Sequence, residues 1–389
     1  MIRFLLTLLA ALWPTLLLAQ SEWEGSPVFL KPGAKVMQGK TELDRGSIAW
    51  PATVAKVNGT WLKVGDGWIR QSDALTPEAA VEFYTAQIRK NPKSPEGWLR
   101  RGEARAAMYD SEAALKDLNY AIKLNPKDAQ AYVVRSGAQM GSAAQLKDLD
   151  TAIEIDPRCA EAYLARAMTH LLGNLFEDDN APPKQEATEE ENYEKALSDC
   201  TAYIKLKPND KDGYFVRIMA YSELDRFDDV LKDCTELIRQ RPNDRDLYIL
   251  RAEFLVEQGR LDDALKDLDR YLALNPKDDE NVLIGDLDAV MPGEGYSLRG
   301  MVHQLQGDCA AALADLDAAV KAAPEDATNY SLRAEVRQDV GDYPRAAADW
   351  KKSLELNPQD TASHADLARL YAACPDDKIR DGQQALALG

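Results

Sequence analysis

The chain has 389 residues, of which 65 are Asp or Glu and 47 are Lys or Arg, so its formal net charge at pH 7 is −18. Nucleic-acid binding depends on Lys and Arg side chains that neutralise phosphates, and this acidic balance therefore predicts no nucleic-acid partner. Five widely spaced cysteines without a CxxC pair argue against a disulfide framework and against a zinc knuckle.

The first nineteen residues have the layout of a secretory signal peptide. A short positive start ends at Arg3, residues 4–18 are almost wholly apolar, and the small Ala19 precedes polar residues. We therefore expect residues 1–19 to be removed and the mature chain to be periplasmic or secreted. An uncleaved N-terminal anchor is the alternative, although Pro14 interrupts a stretch that is short for a membrane span. No second apolar run follows, so no membrane span is expected after cleavage.

Residues 22–74 contain short β-type runs punctuated by Gly and Pro. Asn58-Gly59 is a tight-turn signal between two runs, and residues 65–67 separate the last two. Several short strands in so small a segment predict a small all-β barrel.

The end of this segment resembles bacterial Src-homology-3-like domains, which commonly close with a Trp-Leu-x-Val strand followed by a Gly-Trp strand. The matching residues are 61–64 and 67–69. In an exported protein this resemblance implies binding to cell-wall material or to peptides. The alternative is a structural cap whose tryptophans fill a small core: Trp50, Trp61 and Trp68.

From Leu75 onward the chain is helical and repetitive. Its period is marked by prolines whose successive spacings are 34, 31, 51, 34, 34, 48 and 34 residues. A period of 34 is that of the tetratricopeptide repeat, a helix–turn–helix unit, and one deletion and two insertions explain the other spacings. The prolines are Pro92, Pro126, Pro157, Pro208, Pro242, Pro276, Pro324 and Pro358.

Equivalent positions support this resemblance when each repeat is numbered so that its proline is position 32. Position 4 is aromatic in every full repeat, and positions 8 and 20 are mostly small, which lets two helices approach closely. The proline ends the second helix because it lacks an N–H and clashes inside a helix. The resemblance implies a mainly α fold. We expect a tetratricopeptide α-solenoid, a right-handed superhelix of helical hairpins, after the small Src-homology-3-like barrel.

The repeats are expected to fill residues 76–389. A half-repeat covers residues 76–92, and a terminal partial repeat at 361–389 resembles the closing segment of exported planctomycete-type repeat proteins. The full repeats are 95–128, 129–159, 160–210, 211–244, 245–278, 293–326 and 327–360.

Position 7 is Arg and position 23 is Asp in every full repeat. The turn between the two helices lies midway between these positions, so both side chains are expected at the same level of an antiparallel hairpin. We predict a repeated structural ion pair, which the strict pairing favours over an anion-binding ladder of arginines. Representative pairs are Arg101 with Asp117, Arg251 with Asp267, and Arg333 with Asp349.

No motif for catalysis or for cofactor or metal binding is present. The three histidines, His170, His303 and His364, fall at packing positions of distant repeats, and no phosphate loop or nucleophile elbow occurs. We therefore expect neither an enzyme nor a bound cofactor.

Tetratricopeptide proteins commonly bind partners with positions 2, 5, 9, 12 and 13 of their first helices. The Lys and Asn residues of the family's carboxylate clamp are absent here, and the middle repeats carry Met and Leu flanked by acids. This pattern suits a hydrophobic peptide or helix with some basic residues. Alternatively, these side chains only pack between helices. The candidate groove residues are Leu164, Met168, Leu171, Phe215, Met219, Ile249 and Glu253.

The favoured hypothesis is a non-catalytic scaffold outside the cytoplasm that binds a peptide or protein segment in this groove. The alternative is a cell-envelope module. Its Src-homology-3-like domain would bind peptidoglycan or wall peptides, and its repeats would recruit a partner enzyme.

Overall fold

A computed structural model describes residues 23–43, 51–65, 67–139, 141–172, 188–274 and 293–388. The predicted signal peptide and Trp50 lie outside these residues. The chain divides into two compact units, a first unit that ends at Val230 and a second unit that begins at Leu231, and each is described by itself. In the part of the chain that the structure describes, no helix is long and apolar enough to cross a membrane.

The first unit opens with a seven-stranded antiparallel sheet in the order β3-β2-β6-β5-β4-β1-β7. The strands are β1 (Pro27–Leu30), β2 (Val36–Gln38), β3 (Thr41–Leu43), β4 (Ala52–Asn58), β5 (Trp61–Val64), β6 (Gly67–Arg70) and β7 (Ala74–Leu75).

This sheet differs from the predicted barrel because it is not closed. Strands β3 and β7 lie at its two ends, and β7 is only two residues long before the chain enters the first helix. That helix, Pro77–Lys90, packs on β1 and β7 and covers this end of the sheet. An open antiparallel sheet of this size is compatible with a Src-homology-3-like domain.

One face of the sheet forms a compact apolar core. Alternate residues along each strand point inward, as the two-residue period of a β-strand requires. Leu62, Val64 and Ile69 are fully buried there, and Asn58 pairs with Trp61 across the two-residue turn that contains Gly59. The core residues are Val28, Leu30, Val36, Ala52, Val54, Leu62, Val64, Ile69 and Ala74.

Helices form the rest of both units. Those of the first unit are α1 (Pro77–Lys90), α2 (Pro95–Ala107), α3 (Ser111–Leu124), α4 (Ala129–Ala138), α5 (Ser142–Ile155), α6 (Ala160–Leu172), α7 (Glu189–Leu206) and α8 (Lys211–Glu223). Helix α9 (Phe227–Gln240) contains the division between the units. Those of the second unit are α10 (Asp246–Glu257), α11 (Leu261–Ala273), α12 (Glu294–Leu305), α13 (Cys309–Ala322), α14 (Ala327–Asp339), α15 (Tyr343–Leu356), α16 (Thr361–Ala373) and α17 (Gly382–Leu388).

Helices pair in sequence as hairpins, with α2, α4, α6, α10, α12 and α14 as first helices and the next helix as second. The turn between them needs a left-handed residue at position 15, where Gly259, Gly307 and Gly341 have φ of 67°, 80° and 79°. Tyr109 and Asp225 occupy the same position with φ of 59° and 53°. Left-handed backbone is unfavourable for residues with a Cβ, so these two turns are strained.

Small residues at positions 8 and 20 bring the two helices of a hairpin together. A Cβ added to Gly102 would lie 2.7 Å from Cγ of Leu118, and one added to Gly300 would lie 2.9 Å from Cγ of Leu316. Position 20 is fully buried alanine in α3, α7, α11, α13 and α15. The mainly α class predicted from the sequence is confirmed.

Successive first helices contact one another more extensively than successive second helices do. Direct contacts join α2 to α4, α4 to α6 and α6 to α8 in the first unit, and α10 to α12 and α12 to α14 in the second. Elements that pack closer together lie on the inner side of a curved layer. We call the solvent-facing side of the first helices the inner surface of each unit.

Candidate partner-binding surface

In six repeats an aromatic side chain at position 4 fixes the first helix to the proline before it. Its ring O–H or N–H donates to the carbonyl oxygen of that proline, six residues upstream. The pairs are Trp98 with Pro92 (3.0 Å), Tyr132 with Pro126 (3.3 Å), Tyr163 with Pro157 (3.3 Å), Tyr214 with Pro208 (3.2 Å), Tyr248 with Pro242 (2.9 Å) and Tyr330 with Pro324 (3.1 Å).

In six repeats the position-7 arginine meets the position-23 aspartate as a two-pronged ion pair. In each, Nε and Nη2 donate to the two carboxylate oxygens, a geometry that only the planar guanidinium provides. The Nη2–Oδ1 distances are 2.7 Å for Arg101–Asp117, 2.6 Å for Arg135–Asp148, 2.7 Å for Arg166–Asp199, 2.6 Å for Arg251–Asp267, 2.7 Å for Arg299–Asp315 and 2.7 Å for Arg333–Asp349.

The third nitrogen of each arginine, Nη1, reaches the second helix of the preceding repeat. It donates to a short polar side chain at position 25, so one arginine joins two neighbouring repeats. The acceptors are Thr85 for Arg101, Asn119 for Arg135, Asp150 for Arg166, Thr201 for Arg217, Thr235 for Arg251, Asp269 for Arg299 and Asp317 for Arg333.

The role of position 25 was not predicted from the sequence, although a signal was present. Thr, Asn or Asp stands two residues after the position-23 aspartate in every full repeat except the last, where Lys351 follows Asp349. The next first helix, α16, has Leu367 in place of arginine at position 7. The acceptor is therefore lost where the arginine is lost, and Lys351 instead lies 5.5 Å from the ring of Tyr371.

In the first unit, the predicted groove residues of α6 lie partly in the core. Leu164, Met168 and Leu171 are half-buried and pack against a cluster that includes Ala167 and Val216. Each still exposes part of its side chain on the inner surface.

The two predicted groove residues of α8 differ in exposure. Phe215 is half-buried, with Nζ of Lys211 5.7 Å from its ring centroid. Met219 is only 4% exposed and therefore fills the interior of the helix layer.

In the second unit, the two predicted groove residues behave differently. Ile249 is 8% exposed and belongs to the interior. Glu253 is half-buried, and its carboxyl pKa is raised to about 8, first by burial and then by repulsion from Glu294 and Glu257. Glu253 on α10 and Glu294 on α12 thus lie close together, as residues facing the same side of adjacent first helices must.

Two further carboxyl groups of the second unit are also partly buried near other acidic side chains. Burial raises the pKa of Glu294, and Asp246 and Asp326 add repulsion that Arg245 opposes. Burial likewise raises the pKa of Glu335, with repulsion from Asp366 and Asp339. Of these carboxyl groups only Glu253 was predicted from the sequence, because the burial of the others depends on contacts between repeats.

The histidines do not form a site. His303 Nε2 lies 3.8 Å from Asp315, His364 Nε2 lies 3.2 Å from the carbonyl oxygen of Pro358, and burial lowers the pKa of His170. Within the described ranges no group of three or more His, Cys, Asp or Glu side chains could hold a metal ion.

The period, the hairpins and the close helix contacts all point to one repeat type. Residues 223–283 match the family model of the tetratricopeptide repeat. The helical part of the chain is thus an α-solenoid of helical hairpins, as the sequence predicted, and residues 223–283 within it are similar to the tetratricopeptide repeat. No curated protein matches the chain.

Solved tetratricopeptide structures resemble the chain at low identity. A tetratricopeptide repeat protein from Parabacteroides merdae is 16% identical with a TM-score of 0.43, over 70% of this chain and 97% of that one. MamA from Desulfovibrio magneticus is 18% identical with a TM-score of 0.36, over 43% and 88%. YrrB, described as a tetratricopeptide protein with an unusual peptide-binding site, is 18% identical with a TM-score of 0.39, over 55% and 95%.

Proposed function

We propose that this tetratricopeptide protein is a non-catalytic scaffold whose inner surface binds a peptide or protein segment carrying apolar and basic side chains. The predicted signal peptide supports a site of action outside the cytoplasm, in the periplasm or after secretion. An array of helical hairpins suits this role because, within each unit, it presents successive first helices side by side.

Partly buried carboxyl groups on three successive first helices carry the proposal. Like charges that are partly buried together oppose folding, since each raises the cost of ionising the others. Glu253, Glu294 and Glu335 lie on three successive first helices of the second unit, and each has a raised pKa. A Lys or Arg of a bound segment would relieve this repulsion, so the arrangement favours a basic ligand.

The first unit, taken by itself, offers apolar contacts to such a segment on its own inner surface. Leu164, Met168, Leu171 and Phe215 expose parts of large apolar side chains on α6 and α8. Burying apolar area gives binding free energy, and methionine adapts readily to different partners.

A titration with a defined peptide tests the proposal. The probe is a fluorescently labelled helical peptide of Leu and Lys, and the same peptide with Glu for Lys is the control. We expect the full chain to bind the first peptide and not the second, as measured by fluorescence anisotropy.

Two variants locate the surface. At pH 9, where the carboxyl group of Glu253 is ionised, Glu253→Gln combined with Glu335→Gln should weaken binding of the Leu/Lys peptide about tenfold, because both charges that attract it are lost. Glu355→Gln is the matched control, since this glutamate is exposed on a second helix and pairs with Lys352 at 3.2 Å. Equal binding by all three proteins, or equal binding of both peptides, would contradict the proposal.

A cell-envelope module is the second candidate, in which the N-terminal sheet binds peptidoglycan or wall peptides and the repeats recruit an enzyme. Its supporting observation is that Trp61 and Trp68 are half-buried and lie outside the sheet core, so they are available to a ligand. Retention of the full chain on purified wall material, lost on Trp61→Ala with Trp68→Ala, would support it. Absence of retention would remove this candidate and leave the peptide-binding scaffold.

A further inference from the structure

Position 11 of the first helices supplies a further contact to the ion pairs of the hairpins. The Oδ2 atom of the position-23 aspartate already accepts from Nε of the position-7 arginine. Position 11 lies one helical turn beyond that arginine, so its side chain reaches the same oxygen. The contacts to Oδ2 are Arg105 Nη1 to Asp117 (2.8 Å), Gln139 Nε2 to Asp148 (3.0 Å) and Arg337 Nη1 to Asp349 (2.5 Å).

The residue at position 11 varies with the position-25 acceptor of the preceding repeat. Where that acceptor is an aspartate, position 11 is His or Arg; where it is Thr or Asn, position 11 is neutral except in the first full repeat. The aspartate combinations are Asp150 with His170, Asp269 with His303 and Asp317 with Arg337. The others are Thr85 with Arg105, Asn119 with Gln139, Thr201 with Tyr221 and Thr235 with Leu255. A basic side chain thus accompanies the second carboxylate.

Charge balance explains this combination. In the last full repeat Arg333 contacts both Asp349 and Asp317 at 2.7 Å, so one positive charge faces two negative charges. Arg337 supplies a second positive charge, because its Nη1 reaches Asp349 and its Nη2 lies 3.7 Å from Oδ1 of Asp317. A carboxylate that is nearly buried needs a counter-charge, since it has lost much of its hydration. The basic residue at position 11 therefore completes the contact between the two repeats.

His303 occupies this place where α12 meets α11 and α13. Arg299 contacts Asp315 at 2.7 Å and Asp269 at 2.6 Å, so one arginine again faces two carboxylates. Nε2 of His303 lies 3.8 Å from Oδ2 of Asp315, which is beyond hydrogen-bond distance. Histidine changes its charge between about pH 5 and 8. Unlike Arg337, His303 can therefore supply the second positive charge only when it is protonated.

Among the described residues, the other charged groups near His303 are engaged or face away from it. On α11, Lys266 is 74% exposed and pairs with Asp263 at 2.9 Å, and Asp262 accepts from Gln306 at 2.8 Å. On α13, Asp308 caps the helix. Acidic residues of the neighbouring first helices stand at positions 9 and 13, about 200° around the helix from position 11, and face the inner surface. They are Glu253 and Glu257 on α10, and Glu335 and Asp339 on α14.

His170 has the same position in the first unit, but its surroundings differ. Burial lowers the pKa of His170; Asp199 opposes this change, whereas Lys195 and Arg166 add to it. The equivalent of Lys195 in the repeat of His303 is Ala311, which carries no charge. Protonation of His170 therefore opposes folding, and this residue serves as a comparison for His303.

We propose that protonation of His303 completes the ion pairs of this contact and joins α12 more firmly to α11 and α13 in acid. The protonated imidazole donates to Oδ2 of Asp315, as Arg337 does to its own aspartate, and balances the charge that Asp269 adds. After deprotonation the arginine contacts remain and the second positive charge is lost. The stabilisation is present in acid and is lost as the pH rises through about 5 to 8.

Two variants of the full chain fix position 11 in one charge state each. His303→Gln keeps a neutral donor, as Gln139 is, and His303→Arg carries a permanent charge, as Arg337 does. In urea unfolding at about pH 5.5, the unfolding equilibrium constant of His303→Gln should exceed that of the parent about fivefold, and at about pH 8 the two should agree within about twofold. His303→Arg should be more stable than His303→Gln at both pH values. Glu253 is unchanged in all three proteins, so its own pH dependence cancels in the comparison.

Asp269→Asn tests the origin of this effect. Asp269 is 66% exposed, and Asn119 provides the same acceptor in another repeat, so the substitution should leave the protein folded. Without the second carboxylate no second positive charge is needed. The acid-dependent difference between His303 and His303→Gln should therefore fall at least about twofold in this background. His170→Gln is the comparison of opposite sign: its stability relative to the parent should rise on acidification.

Three results would overturn the proposal. The first is a difference between the parent and His303→Gln that stays the same from about pH 5.5 to 8. The second is an acid-dependent difference that Asp269→Asn leaves unchanged. The third is a His303→Arg protein that is less stable than His303→Gln at both pH values, which would show that this place does not accept a second positive charge. Circular dichroism establishes that each variant is folded before urea is added.

Discussion

Arg251 donates from Nε and Nη2 to the two carboxylate oxygens of Asp267, at 2.7 Å and 2.6 Å. Its remaining nitrogen, Nη1, donates to Thr235 of the preceding second helix at 3.0 Å. One side chain thus joins the two helices of a hairpin and ties that hairpin to its neighbour. In a solenoid each repeat contacts only adjacent repeats. Such a contact therefore contributes both to the stability of one repeat and to its interaction with the preceding repeat.

Replacing Arg251 by Ala should destabilise the protein strongly. The side chains of Arg251 and Asp267 are only 21% and 7% exposed, so Arg251→Ala would leave a nearly buried carboxylate without its bidentate partner. We expect a loss of about 3–5 kcal/mol in the free energy of unfolding, measured by urea denaturation with circular dichroism.

Arg239→Ala is the control for this measurement. Arg239 is 70% exposed and pairs with Glu236 at 2.6 Å on the surface of the same unit. Its removal should cost at most about 1 kcal/mol. Similar unfolding curves for Arg251→Ala and Arg239→Ala would show that the Arg251–Asp267 ion pair contributes no more to the free energy of unfolding than a surface ion pair does.

Gly213→Ala should destabilise the first unit. A Cβ at this position would lie 2.3 Å from Cδ1 of Tyr203, because α8 crosses the end of α7 at close range. Overpacking of this kind costs about 1–3 kcal/mol. Gly137→Ala is the matched control, since it is also helical and has no atom within 4 Å of the added Cβ. It should stabilise by up to about 1 kcal/mol, and a loss of stability there would contradict the steric explanation.

Tyr109→Gly should stabilise the first unit. Tyr109 has φ of 59° and is 81% exposed, so its side chain offsets little of the cost of a left-handed backbone. Glycine takes this conformation without strain, and we expect a gain of up to about 1 kcal/mol in thermal or urea unfolding. Gly307→Ala makes the reverse change at the same position of another repeat and should destabilise by about 1 kcal/mol. A destabilising Tyr109→Gly would indicate that this side chain makes a contact that matters.

Local signals in the sequence predicted the helical part of the fold. Three such signals each reflect a contact within one hairpin or between adjacent repeats. They are the prolines at a fixed period, the small residues at positions 8 and 20, and the Arg–Asp pairing. A similar local pattern occurs at position 25, where Thr235 and its equivalents accept a hydrogen bond from the arginine of the next repeat. Their fixed spacing from the aspartate is visible in the sequence, but their role as acceptors was not predicted from it.

The sheet was predicted less completely, since its pairing depends on contacts that no local pattern encodes. Along β5 and β6, Trp61 and Trp68 alternate with Leu62 and Ile69, so both faces are apolar and either could have been the core. The burial of Met219 and Ile249 and the crowding around Glu253 likewise depend on neighbouring repeats. Glu294, which repels Glu253, lies about forty residues away in the sequence.

The pKa of Glu253, raised to about 8 from an ordinary 4.5, makes stability depend on pH. Between these values the folded state keeps a proton that the unfolded state has released. The free energy of unfolding should therefore fall as pH rises from about 5 to 8.

Glu253→Gln removes this dependence because glutamine resembles the protonated carboxyl group and cannot ionise. The variant should match the parent protein near pH 4.5 and exceed it at pH 8, by an amount on the order of a few kcal/mol. Urea unfolding at half-unit pH steps measures the difference, with Glu355→Gln as the exposed control. Binding of the Leu/Lys peptide should change in the opposite direction, tightening as pH rises through 8, because only the ionised carboxyl attracts lysine. A parent protein whose stability and peptide affinity are both constant from pH 5 to 9 would exclude Glu253 as a buried acidic contact for the ligand.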